Sequence, residues 1–371
     1  MFGIWRIVCW SLYYLMLGIW PLKDVDNNDY PAGTIEADRA GQWLAQGLRA
    51  VIWTLKQDID HLTKSYGLAH YSSNNPCPFC PCDRHETRLA MRFNNFRSDA
   101  RWKRCLHDAK NWRDRYTSVH WLFELPGLSI LNVEADELHC VHLGTTSYIL
   151  GSCLFLLCFK ILPGTRKENL RRVWTAITEE YLASKIETQY SNLTLGSFCD
   201  VDAPERSYPR LKGKGCEIKD LVLPLRTAWQ RFMRVDHRED ALVLELLDAQ
   251  ISFQTIMTTH AHLDLLPRRA AQELVGATDI VLNRYSLLAN AADRAGALQW
   301  PTTPKFHYLW HLAQAACYLN PRRSNCAVDE TFVGIMKSIV QSCANGTKAE
   351  AVPEAVAEKY GIAMHFLEKY T

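Results

Sequence analysis

The second half of the chain has the most regular pattern of hydrophobic and polar positions. Apolar residues recur at helical spacing from about 217 to 298, and again over 166–190, 306–318 and 329–342. A repeat of this kind indicates amphipathic helices rather than strands. The pattern therefore predicts a largely helical protein beyond about residue 140.

Strand-like runs are found only in the first 140 residues. LSILNV (128–133) is a β-like apolar run, and QDIDHL (57–62) is a short element with two acids at alternate positions. If the second element is a strand, Asp58 and Asp60 lie on the same face of it, because side chains alternate along a strand. The predicted fold class is therefore α/β, and mostly α.

Two apolar segments could be taken for membrane spans. Residues 1–22 contain an uncharged run of 14 residues, Ile7–Trp20, and no small-residue cleavage site typical of a signal peptide follows it. A span needs about 20 apolar residues, and the second segment, residues 147–159, is shorter still. We expect both segments to be buried helices, and a membrane anchor through residues 1–22 is the alternative.

The composition narrows the class of protein. Of the 371 residues, 48% are hydrophobic and 22% are charged, which is typical of a globular protein and excludes wholesale disorder. The net charge is only +2, so binding to nucleic acid would require a local basic patch. The 13 cysteines are mostly scattered, which favours a reduced compartment over a disulfide framework.

Residues 91–116 supply such a basic patch. The segment holds eight arginines and lysines, with Phe93, Phe96, Trp102, Trp112 and Tyr116 interleaved. Basic side chains neutralise phosphates and exposed aromatic rings stack on bases, so the segment is a candidate DNA-binding surface. An amphipathic surface whose aromatic rings belong to the core is an equally good interpretation. The candidate DNA-binding residues are Arg92, Arg97, Arg101, Lys103, Arg104, Lys110, Arg113 and Arg115.

A cysteine pair, Cys77-Pro-Phe-Cys80, lies in the turn-rich segment 71–84. Its spacing lets two thiolates reach one tetrahedral ion, so it predicts half of a zinc site. A redox role is less well supported, because no thioredoxin-like βαβ pattern surrounds the pair. The remaining ligands stay open among Cys82, His85, His139 and Cys140.

Three acidic motifs could bind a divalent cation, since hard cations prefer oxygen ligands. They are the pair Asp58 and Asp60, the motif Asp136-x-x-His139, and Glu330 near the start of a predicted helix. Each has a simpler explanation when taken singly. These explanations are a solvated strand edge, a capping Asp beside a core His, and an ordinary acid in the first turn of a helix.

The order of these motifs resembles that of a known family. The chain is similar over nearly its whole length to transposase-like proteins present in many copies in some protist genomes, which are distantly similar to CACTA-type DNA transposases. The segments that carry the resemblance are 54–80, 120–152, 208–225 and 301–347, and the most specific stretches are 125–152 and 301–347.

The resemblance implies an RNase H-like core with a DDE triad, interrupted by a large helical insertion. Asp58 would be the second acid, with Asp60 as the close alternative, although Gln57 stands where relatives usually have Gly. Glu330 would be the third acid, and Asp136-x-x-His139 matches the (C/D)xxH motif between them. The implied activity is DNA strand cleavage and transfer with two Mg²⁺ or Mn²⁺ ions. DNA partners, a homo-oligomer and a nuclear location are implied as well.

The same resemblance divides the chain into three segments. Residues 1–89 would be a partial RNase H-like core with the CxxC turn, 90–300 a mainly helical insertion, and 301–371 the C-terminal core helices. The first acid has only Asp24 and Asp26 as candidates by position. We therefore expect an N-terminally truncated, degenerate and inactive copy. The alternatives are a non-catalytic DNA-binding or zinc-stabilised interaction protein, and a membrane-anchored protein.

Overall fold

The structure, a computed structural model, describes residues 2–85, 88–115, 120–346 and 348–370. The chain forms two compact units, Met1–Ser324 and Asn325–Thr371. The predicted segments 1–89 and 90–300 both fall within the first unit.

Helices dominate the described residues, as the periodicity predicts. A π-helix, Leu138–Thr146, runs directly into the α-helix Ser147–Leu156, and a second π-helix, Leu157–Ile161, follows it. In the second unit, the α-helices are α12 (Ala327–Ala344) and α13 (Val352–Tyr370). In the first unit, they are α1 (Phe2–Leu17), α2 (Ile35–Arg39), α3 (Ile59–Tyr66), α4 (Ala109–Arg115), α5 (Ser147–Leu156), α6 (Arg166–Ala183), α7 (Gly215–Asp220), α8 (Val222–Phe232), α9 (Arg238–Thr259), α10 (Arg268–Arg294) and α11 (Pro304–Ala315).

The described residues form one small sheet. Its strands, β1 (Leu55–Gln57) and β2 (Val133–Ala135), are parallel, and Gln57 pairs with Ala135 at their carboxyl ends. The prediction of a mostly α protein with some strand is confirmed. An RNase H-like core would need a larger sheet, so that assignment stays a prediction.

Local capping shortens both predicted strands. β1 ends at Gln57 because the Asp58 carboxylate caps α3, accepting a hydrogen bond from the Asp60 N–H at 3.3 Å. Asp58 and Asp60 are therefore not alternate positions of one strand, and that prediction is wrong. In the LSILNV run, the Ser129 hydroxyl caps a short 3₁₀-helix, Ile130–Asn132, and β2 begins only at Val133. Ser and Asp side chains compete with strand pairing in this way.

The main core lies between the helices of the first unit. The π-helix and α5 are almost fully buried, which agrees with the core helix expected over 147–159. The continuous helical segment Leu138–Ile161 is long and apolar enough to cross a membrane by length and composition alone. Because most of it is buried inside the protein, it meets the description of a core helix equally well.

The first helix is not buried, contrary to expectation. Ile4 is 69% exposed and Ile7 51% exposed, whereas Trp5 and Met16 pack against a second, smaller core around Leu62. The smaller core covers only one side of this helix, and apolar side chains on the others are exposed.

Candidate metal centre and acidic pocket

Two distant segments bring four ligand-type side chains together in the core. Cys77 and Cys80 come from the turn-rich loop, and His307 and His311 come from α11. The two histidines are four residues apart on a helix, so they share one face. All four side chains are buried, and their ligand atoms lie within 4.8 Å of one another.

The distances between these ligand atoms are close to those of a tetrahedral zinc site. Cys77 Sγ lies 3.4 Å from His311 Nε2, Cys80 Sγ lies 3.2 Å from His307 Nε2, and the two Nε2 atoms are 3.1 Å apart. Zinc bonds of about 2.0–2.1 Å to nitrogen and 2.3 Å to sulfur place tetrahedral ligand atoms about 3.3–3.8 Å apart. The cluster could therefore hold a metal ion such as zinc.

The surroundings favour the ligating protonation states. His307 Nδ1 is 2.9 Å from the Phe93 carbonyl, which makes Nδ1 the donor and leaves Nε2 as the ligating nitrogen. Burial lowers the pKa of His311, which favours the neutral imidazole. Burial opposes ionisation of Cys80, yet contacts with Cys77, Cys82 and His307 hold its pKa well below the usual range. Burial raises the pKa of Cys77, and a bound cation would offset that effect.

Only the cysteine half of this cluster is predictable from the CxxC spacing, and the two histidines were not predicted. Of the partners left open, Cys82 is buried beside Cys77 and Cys80 but lies outside the group of four, and His85 is exposed. His139 and Cys140 line a different pocket. The available signal was the His-x-x-x-His spacing in a predicted helix, which places both rings on one face.

An acidic pocket of about 360 Å³ lies at the carboxyl ends of the two strands. Asp58 directly follows β1 and Asp136 directly follows β2, so the parallel pairing of Gln57 with Ala135 brings the two acids to one edge. Ligands commonly bind at the carboxyl ends of parallel strands. The charged and titratable lining residues are Asp58, Asp60, Asp136, His139, Arg210 and Lys305.

Asp136 organises one wall of this pocket. It is 1% exposed, and its carboxylate accepts hydrogen bonds from the N–H groups of Leu138 at 3.1 Å and His139 at 2.8 Å. The same carboxylate contacts His139 Nδ1. Asp136 therefore caps the π-helix and also orients a pocket histidine, whose Nε2 becomes the basic ring nitrogen.

Asp58 and Asp60 differ in their partners, although both line the pocket. Lys64 Nζ contacts the Asp60 carboxylate at 2.6 Å, and this hydrogen bond lowers the pKa of Asp60. Asp58 forms no ion pair among the residues the structure describes, and its hydrogen bond to Asp60 N–H leaves carboxylate lone pairs for a cation. Asp58 is thus the better candidate of the two for a cation ligand.

Comparisons with known proteins add no relative. No family model, no curated protein and no solved structure matches this chain. The candidate functions therefore depend on the residues and their geometry.

Glu330, the predicted third acid, lies in the second unit. It is exposed in the first turn of α12, where its N–H donates to the Cys326 carbonyl at 2.8 Å. Asp58 and Asp136 belong to the first unit, and the assignment of Glu330 as their partner stays a prediction.

The basic segment is only partly a free surface. Phe96, Trp102 and Trp112 are buried at 1% exposure or less, and Phe93 is 8% exposed, so these rings belong to the core and cannot stack on bases. Tyr116 lies outside the described residues. Lys103 is held beside Asp279, and Arg113 contacts Glu124. Arg92 and Arg97 line a polar groove beside α10. The exposed members are Arg97, Arg101, Arg104, Lys110 and Arg115.

Proposed function

We propose that this chain is a DDE transposase-derived protein whose acidic pocket binds a divalent cation and the phosphate backbone of DNA. The observation that carries this proposal is the position of Asp58 and Asp136 at the carboxyl ends of adjacent parallel strands, facing one pocket. Two aspartates brought together from 78 residues apart along the chain are hard to explain as separate caps alone.

Asp58 and Asp136 would hold Mg²⁺ or Mn²⁺, because carboxylate oxygens are the ligands these cations prefer. When bound, such ions supply Lewis-acid activation of phosphoryl transfer. The donor set fits this chemistry, since both side chains are carboxylates held in place by backbone N–H groups. His139, oriented by Asp136, would accept a proton at Nε2, and Arg210 and Lys305 would attract the DNA backbone.

Zinc is the proposed ion of the buried cluster. Two thiolates and two imidazoles provide four protein ligands, and a closed set of four is typical of structural zinc rather than catalytic zinc. The centre would join the Cys77 loop to α11, and α11 carries Lys305 into the acidic pocket.

Manganese binding tests the acidic pocket. Electron paramagnetic resonance of free Mn²⁺ is expected to show uptake by the wild-type protein, weakened at least tenfold in Asp58→Asn and in Asp136→Asn. Asparagine still caps a helix, so both variants should fold. Asp60→Asn should have a small effect, because Lys64 already neutralises that side chain. The matched control is Asp248→Asn on α9, which removes a surface acid. Equal uptake by all variants would refute the proposal.

Strand cleavage would need further acids. The first-acid candidates Asp24 and Asp26 do not line the pocket, since Asp24 accepts hydrogen bonds from backbone N–H groups of its own loop and Asp26 pairs with Arg6. We accordingly propose an inactive or degenerate copy that is nuclear and binds DNA. A homo-oligomer is proposed only for an active form of the protein.

A non-catalytic, zinc-stabilised interaction protein is the second candidate function. The buried cluster of two cysteines and two histidines favours it, because such a centre stabilises a fold without any contribution from the acids. In that case, DNA or protein binding would be unchanged by Asp58→Asn but lost after zinc removal.

A further inference from the structure

Lys305 occupies an unusual position in the acidic pocket. It lies in the first turn of α11 and lines the pocket together with Asp58 and Asp136. Its ammonium forms no hydrogen bond or ion pair within residues 2–85, 88–115, 120–346 and 348–370. A half-buried ammonium without a direct partner is costly, because burial removes water that would otherwise solvate the charge. An anionic ligand in the pocket would supply the missing partner.

The backbone around Lys305 is firmly held. His307, two residues further on, belongs to the candidate zinc cluster, and the Tyr308 hydroxyl donates to the Pro76 carbonyl next to Cys77. On the other side, the Cys140 thiol donates to the Lys305 carbonyl at 3.3 Å. The cluster and the pocket thus share one helical turn, so a metal ion bound by the cluster would fix the backbone position of Lys305.

Gly144 of the π-helix makes room for the Lys305 stem. A Cβ at this position would lie 2.9 Å from Lys305 Cδ and 2.6 Å from the His139 carbonyl oxygen. Both distances are below normal contact, so any larger residue would displace the helix, the lysine or both. The close packing directs the Lys305 side chain along one path into the pocket.

The first turn of α11 adds a second source of positive potential. Thr303, Pro304 and Lys305 all line the pocket, so the N-terminal end of this 12-residue helix faces it. Helix N-termini carry partial positive charge and favour anions. The carboxylates of Asp58 and Asp136 line the same pocket from the strand ends. The pocket therefore offers oxygen ligands for a cation together with positive groups for a phosphate.

We infer that Lys305 is the residue that contacts a backbone phosphate of DNA in this pocket, and that the metal centre positions it through α11. This inference rests on the proposed function of the pocket. It assigns the anionic side of the ligand to a residue that no motif in the sequence marks.

The salt dependence of DNA binding tests this contact. Fluorescence anisotropy with a labelled 30-base-pair duplex would be measured between 50 and 200 mM salt for the wild type and Lys305→Met. The salt slope is the slope of the logarithm of the binding constant against the logarithm of salt concentration, and loss of one phosphate contact reduces its magnitude by about 0.9. The ratio of wild-type affinity to Lys305→Met affinity should therefore fall about 3.5-fold between 50 and 200 mM salt. Lys305→Arg should restore the slope, because it keeps the charge. The control is Lys167→Met on α6, an exposed lysine outside the pocket.

The experiment needs a folding control for Lys305→Met and a second anionic ligand in case the duplex does not bind. Methionine keeps the apolar stem of lysine, and equal zinc content and circular dichroism would show that the centre is intact. Should the wild type bind no duplex, calorimetric titration with inorganic pyrophosphate replaces it, and weaker binding by Lys305→Met is expected. An unchanged salt slope with intact zinc, or binding of neither ligand by the wild type, overturns the inference. If Lys305→Met reduces the salt slope but the wild-type protein takes up no Mn²⁺, the phosphate contact of Lys305 is supported and the proposed cation site is refuted.

Discussion

Removal of the metal centre should cost a large part of the stability of the first unit. Cys77 and His311 are 234 residues apart in the chain, so a bound ion closes a very long loop. The chain-entropy relation for cross-links gives about 5 kcal/mol for a loop of this length. Cys77→Ser removes one ligand and also leaves a buried polar group beside Cys80, so about 5 kcal/mol is the expected loss.

Calorimetry combined with metal analysis measures this effect. A shift of about 2–4 °C per kcal/mol is usual for domains of 150–250 residues, and the first unit is longer, so the expected decrease in Tm is roughly 10 °C. Wild-type protein should contain about one zinc per chain, and a strong chelator should lower its Tm by a similar amount. Cys216→Ser is the matched control, because Cys216 is an exposed thiol on α7.

Two results would refute this reasoning. One is folded wild-type protein without zinc whose Tm does not change on addition of zinc or chelator. The other is Cys77→Ser with full zinc content, which would show that the ion, if present, has other ligands.

Three further predictions concern residues around the two sites. Cys82→Ser should retain about one zinc per chain, because Cys82 lies outside the group of four; zinc loss equal to that of Cys77→Ser would make Cys82 a ligand. Burial raises the pKa of Glu134 to about 7 from an ordinary value of 4.5, so the folded state favours the protonated acid and loses stability as pH rises from about 4.5 through 7. Glu134→Gln should therefore be more stable than wild type at pH 8, by up to about 3 kcal/mol, and equal to it near pH 4.5; denaturant titrations showing a pH-independent difference would contradict this. Gly144→Ala should lower the salt slope of DNA binding as Lys305→Met does, and an unchanged slope would mean that Gly144 does not direct the lysine.

The sequence predicted the local parts of the sites better than their assembly. Cys77 and Cys80 are recognisable because both ligands of the half-site are close together in a turn. His307 and His311 have helical spacing that core helices also show, and nothing near them in the sequence points to a loop more than 220 residues earlier. Nonlocal pairing of this kind follows from the packing of α11 against the loop.

The assembly of the acidic pocket could not be predicted from the sequence either. β1 and β2 have only three residues each, too few for an alternating pattern to be recognised. The proximity of Asp58 to Asp136 is therefore a result of strand pairing and was not predicted from the sequence. In the basic segment, the sequence left open whether the aromatic rings are exposed or buried, because burial of Trp102 and Trp112 depends on the whole core and not on their neighbours in sequence.

Anomalous diffraction from crystals grown with Mn²⁺, recorded at the zinc and manganese edges, tests the central claim most directly. The account predicts a zinc peak about 2.0–2.3 Å from Cys77 Sγ, Cys80 Sγ, His307 Nε2 and His311 Nε2. It also predicts a manganese peak bound by carboxylate oxygens of Asp58 and Asp136 in the acidic pocket. A zinc peak without manganese at the acids would leave only the zinc-stabilised interaction protein, and the absence of both peaks would contradict the account as a whole.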